Sequence, residues 1–206
     1  MKPRPRIDVS SLPTLAFGPS STLFWGVAGM LAIETTMFAL LYATYFYLRG
    51  NESLWPPGGG SHGSPPIGPA TVCLALQLLS VAPMIVVHRE SGRKCRLKTM
   101  RFWLIVSMAI GLLALILRIA EFGELPFRWD HHAYGSIVWT ILGMHAIHLL
   151  VSGGENLLFV ALLFKGPVEE RHLLDLRLNA MYWYFVVFWG LTVYALIYLD
   201  PGVLGS

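Results

Sequence analysis

The chain has 206 residues, of which 55% are hydrophobic and 13% charged, and its mean hydropathy is +0.58. Soluble domains carry about a quarter charged residues, so the composition excludes an ordinary soluble domain and indicates a membrane protein. The net charge is +3, but the basic residues crowd between two apolar runs. Membrane orientation explains this pattern better than nucleic acid does, and we expect no nucleic-acid partner.

Five apolar segments are long enough to cross the ~30 Å hydrocarbon core of a bilayer as helices. They are Thr22–Leu48, Ile67–Val87, Phe102–Ala120, Ala133–Phe164 and Leu178–Leu199. The sequence therefore predicts an all-α, polytopic membrane bundle with five transmembrane helices in residues 22–206. Residues 1–21 are expected to form a cytoplasmic N-terminal segment.

Charge asymmetry between the loops predicts the orientation. The loop between the second and third segments contains one acid, Glu90, against six bases: Arg89, Arg93, Lys94, Arg96, Lys98 and Arg101. The positive-inside rule places this loop in the cytoplasm. The N-terminus, with Lys2, Arg4 and Arg6, then lies on the same side. An odd number of spans leaves the C-terminus outside.

Charged and imidazole side chains are sparse within the five segments. The first holds Glu34, the third Arg118, and the fourth His145, His148 and Glu155, whereas the second and fifth as delimited hold none. On the fourth helix the two histidines and Glu155 share an arc of about 100° with Ser152 and Asn156. We expect these residues and Glu34 to form an intramembrane polar cluster, because an isolated charge at that depth is costly.

The simplest pairing joins Glu34 to His148 or His145. Two interpretations stay open: a polar contact that locks two helices together, or a proton relay. Small residues follow one face of the first helix, roughly opposite Glu34, and allow close helix contact. These are Ala28, Ala32, Thr35, Thr36, Ala39 and Ala43.

The histidines do not form a pattern typical of a redox centre. Two imidazoles three residues apart emerge on one side of a helix, so they cannot be opposite axial ligands of one haem. Cys73 and Cys95 belong to no Cys-x-x-Cys or His/Cys cluster. We therefore predict no catalytic residue, cofactor or metal site in this chain.

Arg118 and Glu121 are spaced for an ion pair near the outer end of the third helix. Snorkelling toward the headgroups is the simplest interpretation of this pair. These two residues, and Trp55 in the loop between the first and second segments, are candidate contacts with lipid or a partner chain.

Several motifs, in order, resemble subunit III of the haem-copper oxidases. The most specific is AYGS at Ala133–Ser136 followed by GMHAIH at Gly143–His148. It is similar to the family's YGS and G-x-H-x-x-H pattern. Further matches are IETTMF around Glu34, WPP from Trp55, E-x-x-E-x-P-F from Glu121, and YWYFVVFW from Tyr182.

The resemblance implies a subunit without a redox centre that packs beside subunits I and II, where haem and copper are expected. It also implies that the chain binds phospholipid and supports subunit I and proton uptake. Glu34 matches the family's intramembrane glutamate. Five helices rather than seven are similar to short subunits of bacterial oxidases, which favours the bacterial plasma membrane. The family's W-H-F-V-D becomes Trp183 to Val187 without the His and Asp.

Two alternative functions remain. One is an accessory subunit of a nitric oxide reductase in the same superfamily. The other, from a different class, is a stand-alone proton-coupled transporter that uses Glu34 and His148 as a relay. Five spans make an inverted repeat awkward for a transporter, so the leading hypothesis is a non-catalytic subunit of a proton-pumping terminal oxidase.

Overall fold

The computed structural model describes residues 21–57, 65–92, 96–165 and 168–199. Within these ranges the chain forms five α-helices: α1 Thr22–Asn51, α2 Ile67–Glu90, α3 Leu97–Glu124, α4 Ala133–Lys165 and α5 Glu170–Tyr198. Each is long and apolar enough to cross a membrane. The predicted all-α architecture with five transmembrane helices is confirmed. Part of the basic loop (Arg93 to Cys95) and the N-terminal bases lie outside the described residues.

The start of α5 corrects the sequence prediction by about two turns. The helix begins at Glu170 instead of Leu178, so Arg171, Asp175 and Arg177 are helical. Glu169 caps it: its carboxylate accepts the His172 backbone N–H, and its own N–H donates to His172 Nδ1 at 3.1 Å. The prediction was based on hydrophobicity alone. Hydrophobicity does not identify helical turns that contain charged residues at the end of a membrane span.

Helices α2 to α5 form a ring in which each contacts its two neighbours, and α1 lies against the outer side of α4 and α5. Of the residues of α1, only Phe38 and Tyr45 are buried. Phe38 stacks on Trp189 of α5, with 4.4 Å between ring centroids. One narrow aromatic side therefore attaches α1 to the ring.

Two glycines let the ring close tightly. A Cβ at Gly111 of α3 would lie 2.5 Å from the Trp183 ring of α5. A Cβ at Gly190 would overlap the Gln77 amide and the His145 ring. Close approach at small residues is how membrane helices gain packing energy, so α5 takes its position between α2, α3 and α4 from these two sites.

Several polar side chains of the ring bond to one another or to backbone. Trp183 Nε1 donates to Ser80 Oγ at 3.0 Å, and Ser107 Oγ donates to the Ser80 carbonyl at 3.3 Å. On the same face of α2, Gln77 Nε2 donates to Cys73 Sγ at 3.3 Å. These bonds connect α2, α3 and α5 through the interior, where no water competes for them.

Arg118 and Glu121 lie in this interior rather than at the headgroups. Both side chains are about 1% exposed or less, and Arg118 Nη1 is 2.7 Å from Glu121 Oε2. The Tyr198 hydroxyl of α5 donates to the other carboxylate oxygen of Glu121. The snorkelling interpretation is wrong, because α5 supplies an internal partner that the spacing on α3 does not reveal. Neither side chain is left on the lipid-facing surface.

We predict that Glu121→Gln lowers the free energy of unfolding by about 3–5 kcal/mol, since it leaves the buried Arg118 cation without a counter-charge. The matched control is Asp130→Asn, which breaks the exposed Arg128–Asp130 pair and should cost less than about 1 kcal/mol. Denaturant unfolding in detergent measures both. Equal stability of the two variants would contradict this account of the interior.

Candidate functional site: an intramembrane polar pair

The polar arc of α4 faces the protein interior. His145, Ser152 and Asn156 are fully buried, and His148 is 6% exposed. Helix α4 packs against both α5 and α1, so residues of the arc can contact either helix. The two histidines therefore meet different partners.

His145 points to α5. Its Nε2 is 3.2 Å from the Val186 carbonyl. Since a carbonyl only accepts, Nε2 must carry the proton that is donated. The remaining nitrogen, Nδ1, is buried and makes no hydrogen bond within the described residues. Of the two histidines offered by the sequence as partners of Glu34, His145 is thus engaged with α5.

His148 points to α1 and meets Glu34. The distance from His148 Nε2 to Glu34 Oε2 is 3.5 Å, within ion-pair range but longer than an ordinary hydrogen bond of about 2.7–3.2 Å. The Phe38 ring packs on the imidazole with 5.1 Å between centroids. The pair is only partly shielded, since the Glu34 side chain is 18% exposed.

The other nitrogen of His148 determines what the pair can do with a proton. Nδ1 lies 2.7 Å from the Met144 carbonyl and must donate to it. Nε2 is the atom that faces Glu34, and an imidazole nitrogen in this position can accept from a carboxyl group or donate to a carboxylate. A carboxyl group beside an imidazole is a combination that can take part in proton transfer.

Glu155 lies further along α4 on a groove between α1, α4 and α5 with a volume of about 440 Å³. Asp175, Asn179 and Tyr182 of α5 line the same groove. Asn179 Nδ2 donates to Asn156 Oδ1 at 2.7 Å, which joins α5 to α4 beneath it. Sequence analysis did not identify Asp175 or Asn179, and it named Tyr182 only as the start of a family motif. The Glu169–His172 capping pattern was the signal that could have moved the helix start and revealed Asp175.

Trp55 is half-buried in the segment that follows α1. Its Nε1 donates to the Tyr45 hydroxyl at 3.0 Å, and its ring packs edge-on against Tyr134 at 4.9 Å. The structure thus gives Trp55 partners within its own chain, and a contact with lipid or another subunit stays a prediction. Within the described ranges, no three His, Cys, Asp or Glu side chains converge as metal ligands would.

We predict that Glu34→Leu destabilises the protein by about 1–3 kcal/mol, because it leaves His148 Nε2 without a polar partner inside the bundle. Glu34→Gln should retain most of the stability, since the amide still donates to Nε2. Thermal unfolding in detergent compares the two with Glu52→Gln, a change at an exposed glutamate at the end of α1. If Glu34→Leu is as stable as Glu34→Gln, the contact with His148 contributes nothing.

Comparisons with known proteins agree with this architecture. A family model described as cytochrome c oxidase subunit III matches residues 17–201. Cytochrome c oxidase subunit 3 of Mus musculus is 30% identical over 185 residues, which cover 85% of this chain and 69% of the mouse protein. The Locusta migratoria protein is 26% identical, covering 87% and 69%. The Thermostichus vulcanus protein is 23% identical, covering 84% and 85%. The chain therefore belongs to the cytochrome c oxidase subunit III family.

Proposed function

We propose that this chain is the non-catalytic subunit III of a proton-pumping haem-copper terminal oxidase. In this role it holds phospholipid, steadies subunit I and supports proton uptake, while haem and copper reside in the partner subunits. Membership of the subunit III family supports the place in the complex. The names of the relatives favour an oxidase over a nitric oxide reductase or a stand-alone transporter.

The observation that carries the proposal is a broad face of α1 that lies exposed in the described part of the chain. The helix is apolar over its length, yet only two of its residues are buried. The small-residue stripe lies on the outward side, where Ala32, Ala39 and Ala43 are exposed. In a membrane, such a stripe lets the backbone of another helix approach closely. This face is suited to subunit I or II.

The Glu34–His148 pair supports the part of the proposal that concerns protons. It places a carboxyl group 3.5 Å from an imidazole, and both are groups that can bind a proton. The acidic groove beside it adds Glu155 and Asp175, which are further proton-binding groups. A subunit that offers protons to its neighbour requires ionisable groups of this kind within its membrane-spanning part.

The proposed orientation has the N-terminal segment and the α2–α3 loop in the cytoplasm and the C-terminus outside. A membrane-impermeant maleimide added to whole cells should label a cysteine introduced between Gly58 and Ser64 and miss one introduced at Gly92. The charge asymmetry of the loops is the physical reason. Opening the cells should expose the Gly92 probe, and the reverse pattern would invert the topology.

We predict that an oxidase depleted of this chain keeps its haem and copper but loses activity faster during turnover, or takes up protons more slowly, than the complete complex. The measurements are metal and haem content per complex and oxygen consumption over many turnovers. Adding back the purified chain should restore durability. A stoichiometric loss of haem or copper on removal would show that the chain holds a redox centre, and the proposal would fail.

A further inference from the structure

The acidic groove between α1, α4 and α5 follows the first half of α1. Leu23, Val27 and Met30 line it, and their spacing places them on one face of the helix. None of these three residues is buried. The buried residues of α1 are Phe38 and Tyr45, both in its second half. The buried contacts of α1 thus lie in its second half, and an open groove lies along its first half.

The groove contains two carboxyl groups and no cation among its described lining residues. Glu155 of α4 and Asp175 of α5 line it, and both are partly exposed. Within the described part of the chain, neither makes an ion pair. Asn179 is 4% exposed and lines the same groove, and its Oδ1 has no hydrogen-bond partner among the described residues. These acceptors favour an occupant that brings cationic hydrogen-bond donors.

One end of the groove lies at the start of α1. Consecutive membrane-spanning helices alternate in direction, so Leu23, Leu162 and Asp175 lie at the same end of the groove. From Leu23 to Met30 the groove follows α1 for about 10 Å. Residues 1–20 lie outside the described ranges and join the chain at this end. A segment of this length reaches up to about 70 Å when extended, so it is long enough to follow the whole groove.

The composition of residues 1–20 complements the groove. Their sequence, MKPRPRIDVSSLPTLAFGPS, contains the bases Lys2, Arg4 and Arg6 and a single acid, Asp8. The stretch LPTLAF is mostly apolar, as are the other walls of the groove. The prolines disfavour a continuous helix, and the Gly-Pro dipeptide just before α1 favours a turn. A segment that reverses at this turn brings cations and apolar side chains to the groove together.

A tethered segment also competes well with other occupants. Because it is joined to α1 at the end of the groove, its effective concentration there is in the roughly millimolar range of a short flexible linker. An apolar helix of another chain would instead leave Glu155, Asp175 and Asn179 without donors, which is costly inside a membrane protein.

We propose that residues 1–20 fold back at Gly18 and Pro19 and occupy the acidic groove. The basic stretch from Lys2 to Arg6 pairs with the Asp175 and Glu155 carboxylates, and the LPTLAF stretch packs on the apolar walls. The segment then joins the first half of α1 to α4 and α5. This contact lies within the chain, so it goes beyond the proposed function and does not depend on it.

A photoreactive probe at the end of the groove identifies the occupant in native membranes. A diazirine analogue of leucine at Leu162 keeps the size of the natural side chain. After illumination and digestion, mass spectrometry should find Leu162 joined to a peptide from residues 1–20. The matched probe is the same analogue at Leu112, which is exposed on α3 and should not crosslink to that segment. A Leu162 probe that crosslinks to lipid or another polypeptide, and not to residues 1–20, would overturn the proposal.

Charge variants of the full chain test the pairing. Asp175→Asn should lower the ratio of crosslinked to free chain about two- to fivefold, the effect of one partly exposed ion pair. The matched control is Glu90→Gln, which removes an acid at the end of α2 outside the groove and should leave the ratio unchanged.

Arg4→Gln combined with Arg6→Gln should lower the ratio at least as much as Asp175→Asn does. These two positions precede α1, so the double variant tests the pairing without a change in the five helices. A ratio that is the same in the unaltered chain, in Asp175→Asn and in the double variant would show that charge does not hold the segment, and the proposal would fail.

The same membranes report on the proposed function separately. If the chain co-purifies with a haem-copper subunit but residues 1–20 do not crosslink to Leu162, the groove proposal fails and the subunit role stands. If the crosslink forms but no such subunit co-purifies, the reverse holds.

Discussion

Polar side chains on the apolar helices need partners inside the protein, because the hydrocarbon core of a membrane supplies none. This constraint accounts for several contacts between helices in the interior. Arg118 is neutralised by Glu121, which in turn accepts from Tyr198. His145 donates to a backbone carbonyl of α5. Each pairing joins two helices or stabilises one end of a helix, so satisfying the polar groups also determines which helices are neighbours.

The position of α5 follows from this constraint together with the absence of side chains at two glycines. Gly111 and Gly190 allow Trp183 and Gln77 to approach backbone that any Cβ would block. Trp183 can then reach Ser80, and His145 can reach Val186. Packing and polar satisfaction thus support each other, which is the consistency expected of a sequence with a single native arrangement.

Helix α1 is attached to the bundle by a different kind of contact from those that hold the ring together. It is held mainly by aromatic contacts, with Phe38 between Trp189 and His148. Its one intramembrane acid is left at the edge of the interface, where Glu34 faces His148 across 3.5 Å and is still partly exposed. An edge position retains the contact with His148 and leaves Glu34 at the rim of the interface between α1 and α4.

The number, type and approximate location of the helices follow from the sequence, because a run of about twenty apolar residues has one stable arrangement in a bilayer. The inward polar arc of α4 was also readable, since helical periodicity alone puts His145, His148 and Asn156 on one side. The family motifs around Glu34 and Gly143–His148 led to the correct family for the same reason: they are local strings of residues.

Only the tertiary structure decided which neighbour each polar residue meets. Periodicity within α4 cannot tell whether α1 or α5 stands before a given histidine, and the structure assigns His148 to Glu34 and His145 to Val186. The inward direction of Arg118 and Glu121 depends on Tyr198, which is 77 residues away from Glu121 in sequence. The acidic groove forms where α1 packs beside α4 and α5, although two further helices separate α1 from them in the chain. These features belong to helix rotation and packing, and a pattern read along one helix contains no information about its partner.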